Sequence, residues 1–188
     1  SIVSGGGSIV AASGAFTAPA SAGSVTVKVT DALANTATAT VTVVNPLTIA
    51  PTVKTLAVNN TANFTAAGGQ TPYTYSVQSG SGSVNASTGA FTAGSAAGSA
   101  VVRVTDSLGA HADAAVTINA ALTISPVSTA LASSGTRAFS AVGGLAPYTF
   151  SVTAGSGSID SSSGVFTAAS SAGSSSVQVA DSLGNTAT

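Results

Sequence analysis

Residues 76–109 read SVQSGSGSVNASTGAFTAGSAAGSAVVRVTDSLG, and residues 151–184 read SVTAGSGSIDSSSGVFTAASSAGSSSVQVADSLG. The two stretches lie 75 positions apart and align without insertion or deletion. A more divergent copy begins at Ser1, 75 positions before Ser76. The chain is therefore built from a repeat, and the repeat decides how the rest of the sequence is interpreted.

The duplication extends outward from this stretch over the whole chain. When 45–113 is aligned with 120–188, 36 of the 69 aligned positions are identical. Glycines keep their places in successive copies, as in Gly68-Gly69 and Gly143-Gly144. Because glycine is favoured where φ is positive or where backbones approach closely, this retention indicates turns at fixed places.

Between the glycines, apolar and polar residues alternate with a period of two, as the valines do in 25–29. This period, with β-branched and aromatic residues, predicts half-buried strands, and no stretch has helical spacing. In the complete copy the predicted strands are 47–50, 55–58, 62–67, 73–78, 83–86, 90–93 and 99–105, closed by 112–118. The predicted core consists of Leu47, Ile49, Leu56, Phe64, Tyr75, Val77, Val84, Phe91, Val102, Val104, Val116 and Ile118. Many short strands separated by turns favour an all-β sandwich.

The phase of the repeat predicts three domains. Residues 1–44 correspond to the C-terminal part of a repeat, 45–119 to a complete repeat, and 120–188 to a repeat without its last strand. Only Val44, Asn45 and Pro46 separate the strands of the first two copies, which predicts a short, stiff joint. We expect the chain to be a window on a longer array. The alternative is a subunit whose ends are completed by strands from neighbouring chains.

The composition excludes several classes of site. Only 5% of the residues are charged, against about 25% in an average domain, and the net charge is −1. The chain has no Cys, Met, Trp or Glu and one His, which excludes disulfide scaffolds, Cys-ligated zinc and Cys- or Met-ligated haem. Four basic residues are too few for a nucleic-acid groove. No apolar run is long enough to span a membrane.

Two sequence patterns are similar to known functional motifs. Gly5-x-Gly7 and its two copies begin like a dinucleotide fingerprint but lack the third glycine and the following helix, so we interpret them as turns. His111 shares a strand face with Asp113, yet no Gly-x-Ser-x-Gly nucleophile motif occurs, which favours an exposed surface histidine.

The recurrent Asp31, Asp106 and Asp181 supply one carboxylate per copy, and Asp106 begins the sequence Asp-Ser-Leu-Gly, which is typical of a turn. Tyr73 and Tyr148 follow a Gly-Gly-x-x-Pro loop and could stack on a sugar or belong to the core; both interpretations stay open. No catalytic, cofactor-binding or metal-ligating residue is predicted, and no cofactor.

The residues quoted above resemble bacterial immunoglobulin-like tandem repeats. The likeness is carried by Pro147-Tyr148-Thr149-Phe150-Ser151-Val152, by Gly155-Ser156-Gly157-Ser158-Ile159-Asp160, by Ser163-Gly164-Val165-Phe166-Thr167-Ala168, by Ala172-Gly173 and by the Val-x-Val-x-Asp-Ser-x-Gly run that ends at Gly184. It is nearest to the dystroglycan-type cadherin-like modules of large surface or adhesin-like proteins. The resemblance implies tandem immunoglobulin-like β-sandwiches in a linear array, with an extracellular or cell-surface location. Because the chain has no Glu and no acidic cluster, the resemblance does not imply that the chain binds calcium.

The expected function is that of a structural array: a stalk, fibre or filament of a bacterial surface protein, adhesive or matrix-forming, and not an enzyme. The alternative is a carbohydrate- or matrix-binding accessory module of a large extracellular enzyme. The expected partners are further copies of the same repeat, in the same chain or in neighbouring subunits, with surface polysaccharide or a host or matrix polymer as a second class. Nucleic acid is not an expected partner, and no membrane-spanning segment is expected within these residues.

Overall fold

A computed structural model describes all residues from 1 to 188. Every regular element is a β-strand, and there are 22 of them. The prediction of an all-β fold is therefore confirmed. The structure contains no helix with the length and hydrophobicity that crossing a membrane would require.

Residues 1–44 form one three-stranded sheet and one two-stranded sheet. The sheet orders are β1-β4-β5 and β2-β3, and the long β4/β5 hairpin pairs Gly23 with Val43 at one end and Thr30 with Thr36 at the other. The strands are β1 (Ile2–Ser4), β2 (Ser8–Ile9), β3 (Phe16–Thr17), β4 (Gly23–Thr30) and β5 (Thr36–Val43).

Residues 45–119 contain nine strands in three sheets. The strands are β6 (Thr48–Ala50), β7 (Val53–Ala57), β8 (Thr61–Asn63), β9 (Thr65–Ala67), β10 (Thr74–Gly80), β11 (Gly82–Val84), β12 (Ala90–Ala93), β13 (Gly98–Thr105) and β14 (His111–Asn119). The sheet orders are β10-β13-β14-β7, β11-β12-β8 and β6-β9. Within the first sheet, β7 runs parallel to β14, which sequence analysis did not predict.

Residues 120–188 contain the remaining eight strands. These are β15 (Thr123–Ser125), β16 (Thr136–Ala138), β17 (Ser140–Val142), β18 (Thr149–Ala154), β19 (Ser158–Ile159), β20 (Val165–Thr167), β21 (Ser176–Ala180) and β22 (Thr186–Ala187). Their sheets, β18-β21-β22, β16-β20-β19 and β15-β17, have counterparts one repeat earlier in β10-β13-β14, β8-β12-β11 and β6-β9. No strand in this region corresponds to β7.

One predicted strand, 62–67, is divided in the structure. Its first part is β8, which pairs with β12, and its second part is β9, which pairs with β6. The division falls at Phe64, whose N–H donates to the carbonyl of Gly89 at 3.0 Å. The chain thus leaves one sheet and joins another at Phe64. Apolar and polar residues continue to alternate through Phe64, so the sequence pattern does not reveal that the chain changes sheet there.

The predicted core is largely correct. Nine of the twelve predicted residues are buried, and Leu47, Val77 and Val84 are half-buried. Phe64 is completely buried and meets Phe91 edge-to-face, with ring centroids 6.1 Å apart. Sequence analysis missed four buried alanines, Ala57, Ala93, Ala100 and Ala114. Alanine is so frequent on both faces of these strands that its positions do not indicate which face is buried.

Residues 120–188 pack around one cluster of apolar side chains. Its buried members are Leu122, Ile124, Phe150, Phe166, Val177 and Val179. These come from or beside β15, β18, β20 and β21, which belong to three different sheets. Since side chains from separate sheets share one core, this region is a β-sandwich, as predicted.

The chain forms two compact units. The first comprises Ser1–Ile49, Ala66–Thr74 and Val104–Ala112, and the second comprises Ala50–Thr65, Tyr75–Arg103 and Asp113–Thr188. The domain boundaries near residues 45 and 120 remain a prediction from the repeat.

Candidate functional site

The recurrent aspartate organises a turn and accepts hydrogen bonds with its side chain. Asp106 Oδ1 accepts the N–H groups of Leu108 and Ala110 at 2.9 and 2.8 Å, and Oδ2 accepts the N–H of Gln70 at 2.9 Å. The N–H of Gly109 donates to the Asp106 carbonyl at 3.1 Å, which closes the predicted turn. These contacts confirm that Asp106 forms a turn.

The same arrangement occurs in the next copy of the repeat. Asp181 Oδ1 accepts the N–H groups of Leu183 and Asn185, and Oδ2 accepts the N–H of Leu145 at 3.1 Å. In the first copy, Asp31 accepts the N–H groups of the two matching positions. Asp106 and Asp181 are buried, whereas Asp31 is exposed.

Hydrogen bonds keep these carboxylates ionised. The N–H of Gln70 is the main reason why the pKa of Asp106 lies below its usual value, despite burial. For Asp181, burial acts to raise the pKa, but hydrogen bonds from Asn185, Leu145 and Leu183 together outweigh it, and the pKa is lowered. A carboxylate with a lowered pKa and its oxygens occupied by N–H donors is suited to holding a loop rather than to taking up a proton.

The Gly-Gly loop lies directly against this carboxylate. Gly69 has φ of +60°, and a Cβ placed on it would lie 2.6 Å from Asp106 Oδ2. Gly144 is equivalent, with φ of +64° and the same 2.6 Å approach to Asp181. Glycine is required here both by the backbone conformation and by the space that the carboxylate occupies.

The two tyrosines that could have stacked on a sugar hold the same loop. The hydroxyl of Tyr73 donates to the carbonyl of Gly68 at 2.6 Å, and that of Tyr148 donates to the carbonyl of Gly143 at 2.8 Å. Both residues are half-buried. The contacts therefore support the structural interpretation of these residues.

His111 and Asp113 do not form a relay. Asp113 is held by Arg103, whose Nε and Nη2 donate to the two carboxylate oxygens at 2.7 Å each. This ion pair joins neighbouring strands β13 and β14, and its hydrogen bonds raise the pKa of Arg103. His111 is exposed, as predicted. Lys28, at the position equivalent to Arg103, pairs across the β4/β5 hairpin with Thr38.

The Gly-x-Gly motifs are turns, and no helix follows any of them. Gly80 ends β10 and Gly82 begins β11, so the middle copy connects two strands. A helix N-terminus, which a pyrophosphate would need, is absent.

Sequence analysis missed a second side-chain turn. Asp160 Oδ1 accepts the N–H groups of Ser162 and Ser163, and these bonds, with those of the two hydroxyls, lower the pKa of Asp160 to about 2. Asn85 does the same in the preceding copy, accepting the N–H groups of Ser87 and Thr88. The signal in the sequence was an Asn or Asp two residues before a Ser in both copies, Asn85 before Ser87 and Asp160 before Ser162.

No three His or Asp side chains come together in an arrangement that could hold a metal ion. An open groove of about 560 Å³ lies in residues 120–188 and is lined by serine, threonine and apolar side chains and by no charged one. The hydrogen bonds described above assign structural roles to the recurrent polar residues.

The sequence matches no protein-family model and no curated protein. Among solved structures, the chain is similar to the C-terminal 282-residue fragment of intimin in complex with the intimin-binding domain of the translocated intimin receptor, with 20% identity and a TM-score of 0.48. The match covers 87% of this chain and 55% of the intimin fragment, so the chain spans about half of that fragment.

A cadherin and a protocadherin are also similar to the chain. Mouse cadherin-23 domains EC22–24 match with 15% identity and a TM-score of 0.35, over 87% of this chain and 70% of theirs. Protocadherin gamma B7 domains 1–4 match with 12% identity and a TM-score of 0.35, over 86% of this chain and 54% of theirs.

Proposed function

We propose that the chain is part of a structural array of immunoglobulin-like β-sandwiches that resists tension, forming a stalk, fibre or filament of a bacterial extracellular or surface protein. Its role is adhesive or matrix-forming rather than catalytic. Its partners are further copies of the same repeat. The repeated sequence, the all-β structure and the structural use of the recurrent polar residues support this proposal.

The observation that carries the proposal is the parallel ladder between β7 and β14. It pairs five residues of each strand, from Ala115 with Val53 to Asn119 with Ala57. β7 lies near the start of the 45–119 repeat and β14 at its end. When the chain is pulled at these two ends, the parallel strands β7 and β14 are drawn in opposite directions along their length.

In this geometry the hydrogen bonds of the ladder are loaded in shear. Several bonds must then break together rather than one after another, as they would when a hairpin is peeled from its turn. Leu56, Val116 and Ile118 belong to these five pairs and are 6%, 1% and 2% exposed. Sliding β7 along β14 therefore also disturbs buried side chains. Such an element suits a module that resists extension.

The outer faces are compatible with close packing in a fibre. In β5, threonine alternates with alanine or valine, and the outward residues of β14 include Thr117 and Ala115. Because only 5% of the residues in the chain are charged, there is little like-charge repulsion between chains that pack through these faces.

Single-molecule stretching of the chain between flanking handles tests the proposal. We expect a discrete unfolding event that releases roughly 250 Å of chain, the contour of one repeat at about 3.3–3.6 Å per residue. The variant Lys54→Pro, which removes an N–H from the ladder, lowers the unfolding force. A chain that extends smoothly at low force contradicts the proposal.

Binding assays separate this proposal from the carbohydrate-module alternative. Specific, saturable binding of the monomeric chain to a defined polysaccharide, lost on substitution of exposed residues, supports the alternative. Self-association without glycan affinity supports the array.

A further inference from the structure

The chain passes from its second repeat, 45–119, to its third without a free linker. Val58 N–H donates to the carbonyl of Asn119 at 3.0 Å, within the second repeat. Gly144 N–H donates to the carbonyl of Ala120, the next residue along, at 2.9 Å, within the third. Backbone held by one repeat is thus followed directly by backbone held by the other, and we call this point the joint.

A side-chain contact connects the same two repeats a second time. Nδ2 of Asn60 donates to Oδ1 of Asn185 at 3.1 Å, across 125 positions of sequence. Asn60 lies in the turn after β7, where its N–H donates to the Ala57 carbonyl, and Asn185 follows the turn that Asp181 forms. All four residues belong to the second compact unit. The two repeats are therefore connected both through the chain and through a hydrogen bond beside it.

The buried carboxylate of Asp181 orients the amide that makes this contact. Asn185 Nδ2 donates to Asp181 Oδ2 at 2.9 Å. Because an ionised carboxylate only accepts hydrogen bonds, the nitrogen of the Asn185 amide must face it. This leaves Oδ1 of Asn185 to accept from the Asn60 amide. The bond between the repeats thus extends a hydrogen-bond network that is anchored inside the third repeat.

A leucine in the same loop is covered only at this joint. Leu33 and Leu108, which occupy the equivalent positions in the first and second repeats, are 83% and 69% exposed, whereas Leu183 is half-buried. Leu183 borders a recess of about 220 Å³ whose other residues all belong to the second repeat. These are Lys54, Thr55, Leu56, Asn60 and Thr61. Removing apolar surface from water favours this arrangement.

The asparagine pair is specific to this joint. The position of Asn185 is occupied by Ala110 in the second repeat, and the position of Asn60 is occupied by Gly135 in the third. Neither alanine nor glycine has a side chain that can form a hydrogen bond. The contact therefore depends on two residues that differ between copies and is not a general property of the repeat.

We propose that the end of the second repeat formed by Lys54, Leu56, Asn60 and Thr61 is a docking surface for the Asp181 loop of the third repeat, and that this docking stops the joint from bending. A linker alone leaves two soft dihedral angles per residue about which the repeats could turn. A second contact away from the linker opposes such turning. The inference goes beyond the proposed function, because bending between repeats is a different property from the resistance of one repeat to extension.

Pulsed electron paramagnetic resonance on the 188-residue chain tests the proposal by measuring the distance between one spin label on each repeat. The chain has no Cys, so Ser83→Cys and Ser151→Cys, at two exposed positions, give unique labelling sites. We expect a single narrow distance distribution. Asn60→Ala should widen it, because the loss of one ordinary hydrogen bond raises the undocked population about two- to tenfold.

Two further variants remove the other side of the contact. Asn185→Ala should widen the distribution as Asn60→Ala does, and the loop should persist, since Ala110 fills this position in a turn that is intact. Leu183→Ala should also widen it, through the loss of the covered leucine. Thermal unfolding followed by circular dichroism shows that each variant is folded.

The first repeat supplies matched controls. Asn35 Nδ2 donates to Asp31 Oδ2 at 2.9 Å, as Asn185 does to its own aspartate, so Asn35→Ala removes the same bond far in sequence from the joint. Leu33→Ala is the control for Leu183→Ala. Both controls should leave the distribution unchanged. A broad distribution in the unaltered chain, or equal widths for the controls and the joint variants, overturns the proposal, and neither result bears on the stretching experiment.

Discussion

At the residue scale, the carboxylates of Asp106 and Asp181 each accept hydrogen bonds from the N–H groups of two loops. The turn at Asp106 was predictable, because Asp at the first and Gly at the fourth position is ordinary turn chemistry. The bond from Gln70 was not, since it joins residues 36 positions apart. The retained Gly68-Gly69 pair was visible in the sequence, but its reason, the closeness of the carboxylate to Gly69, needed the structure.

Replacing Gly69 with alanine tests this closeness. The new Cβ would lie 2.6 Å from Asp106 Oδ2 at a positive φ, so we expect Gly69→Ala to destabilise the chain by about 2–4 kcal/mol. Gly109→Ala is the matched control, because Gly109 also has a positive φ but has no atom within 4 Å of a Cβ. It should cost only about 1–2 kcal/mol. Urea unfolding measures both, and equal losses would mean that the carboxylate does not crowd Gly69.

The lowered carboxylate pKa values predict a stability that depends on pH only in acid. The pKa values of Asp31, Asp106, Asp160 and Asp181 are all lower in the folded chain than their usual value. Such groups contribute stability that is present above the unfolded pKa of about 4 and is lost as the pH falls through the folded pKa. We therefore expect the melting temperature to fall between about pH 4 and pH 2.

Asp160→Asn isolates one of these contributions. Asn85 already fills the equivalent position and accepts the same N–H groups, so the variant keeps the turn. We expect a slightly lower stability at pH 7, because hydrogen bonds to a carboxylate are replaced by weaker ones to a neutral amide. We also expect a smaller loss between pH 4 and pH 2, where the pKa of about 2 places the titration of Asp160. An identical acid profile for the variant and the unaltered chain would show that Asp160 is not among the responsible groups.

At the element scale, the strands were easier to predict than their partners. Seven of the eight predicted stretches correspond to one strand each, because alternation and glycine turns are local signals. The change of sheet at Phe64 and the parallel pairing of β7 with β14 depend on residues far apart in sequence. The Arg103–Asp113 pair follows from the register of the β13/β14 hairpin rather than from a local pattern, and was missed for that reason.

Proline substitutions in β7 test the ladder. Ala115 N–H donates to the Thr52 carbonyl and Val58 N–H to the Asn119 carbonyl. In a parallel ladder every second residue donates, so the N–H of Lys54 enters the ladder and that of Val53 points away from it. Lys54→Pro should destabilise the chain by about 2–4 kcal/mol, whereas Val53→Pro should cost less than about 1 kcal/mol, because proline is tolerated where an edge strand faces solvent.

Both side chains are exposed, so packing changes little in either variant. Thermal unfolding followed by circular dichroism measures the difference. If Val53→Pro is as harmful as Lys54→Pro, the assignment of donors in the ladder is wrong.

At the scale of the whole molecule, we expect no stabilisation by calcium. The five Asp residues are dispersed, and no three His or Asp side chains come together. A calcium site saturated a hundredfold would stabilise the fold by about 2.7 kcal/mol. We expect the melting temperature to be the same within about 1 °C in millimolar calcium and in chelator. A rise of several degrees that chelator reverses would reveal a site that the structure does not suggest.

We propose that the repeat, with its period of 75 positions, is the structural unit and that its β7–β14 ladder closes it. The NMR spectrum of a fragment of residues 45–119, with amide hydrogen exchange at each residue, tests this proposal. We expect a folded monomer with cross-strand contacts between Val53–Ala57 and Ala115–Asn119 and strong protection of Val116 and Ile118. An unfolded fragment, or a folded one without the parallel pairing, would contradict it.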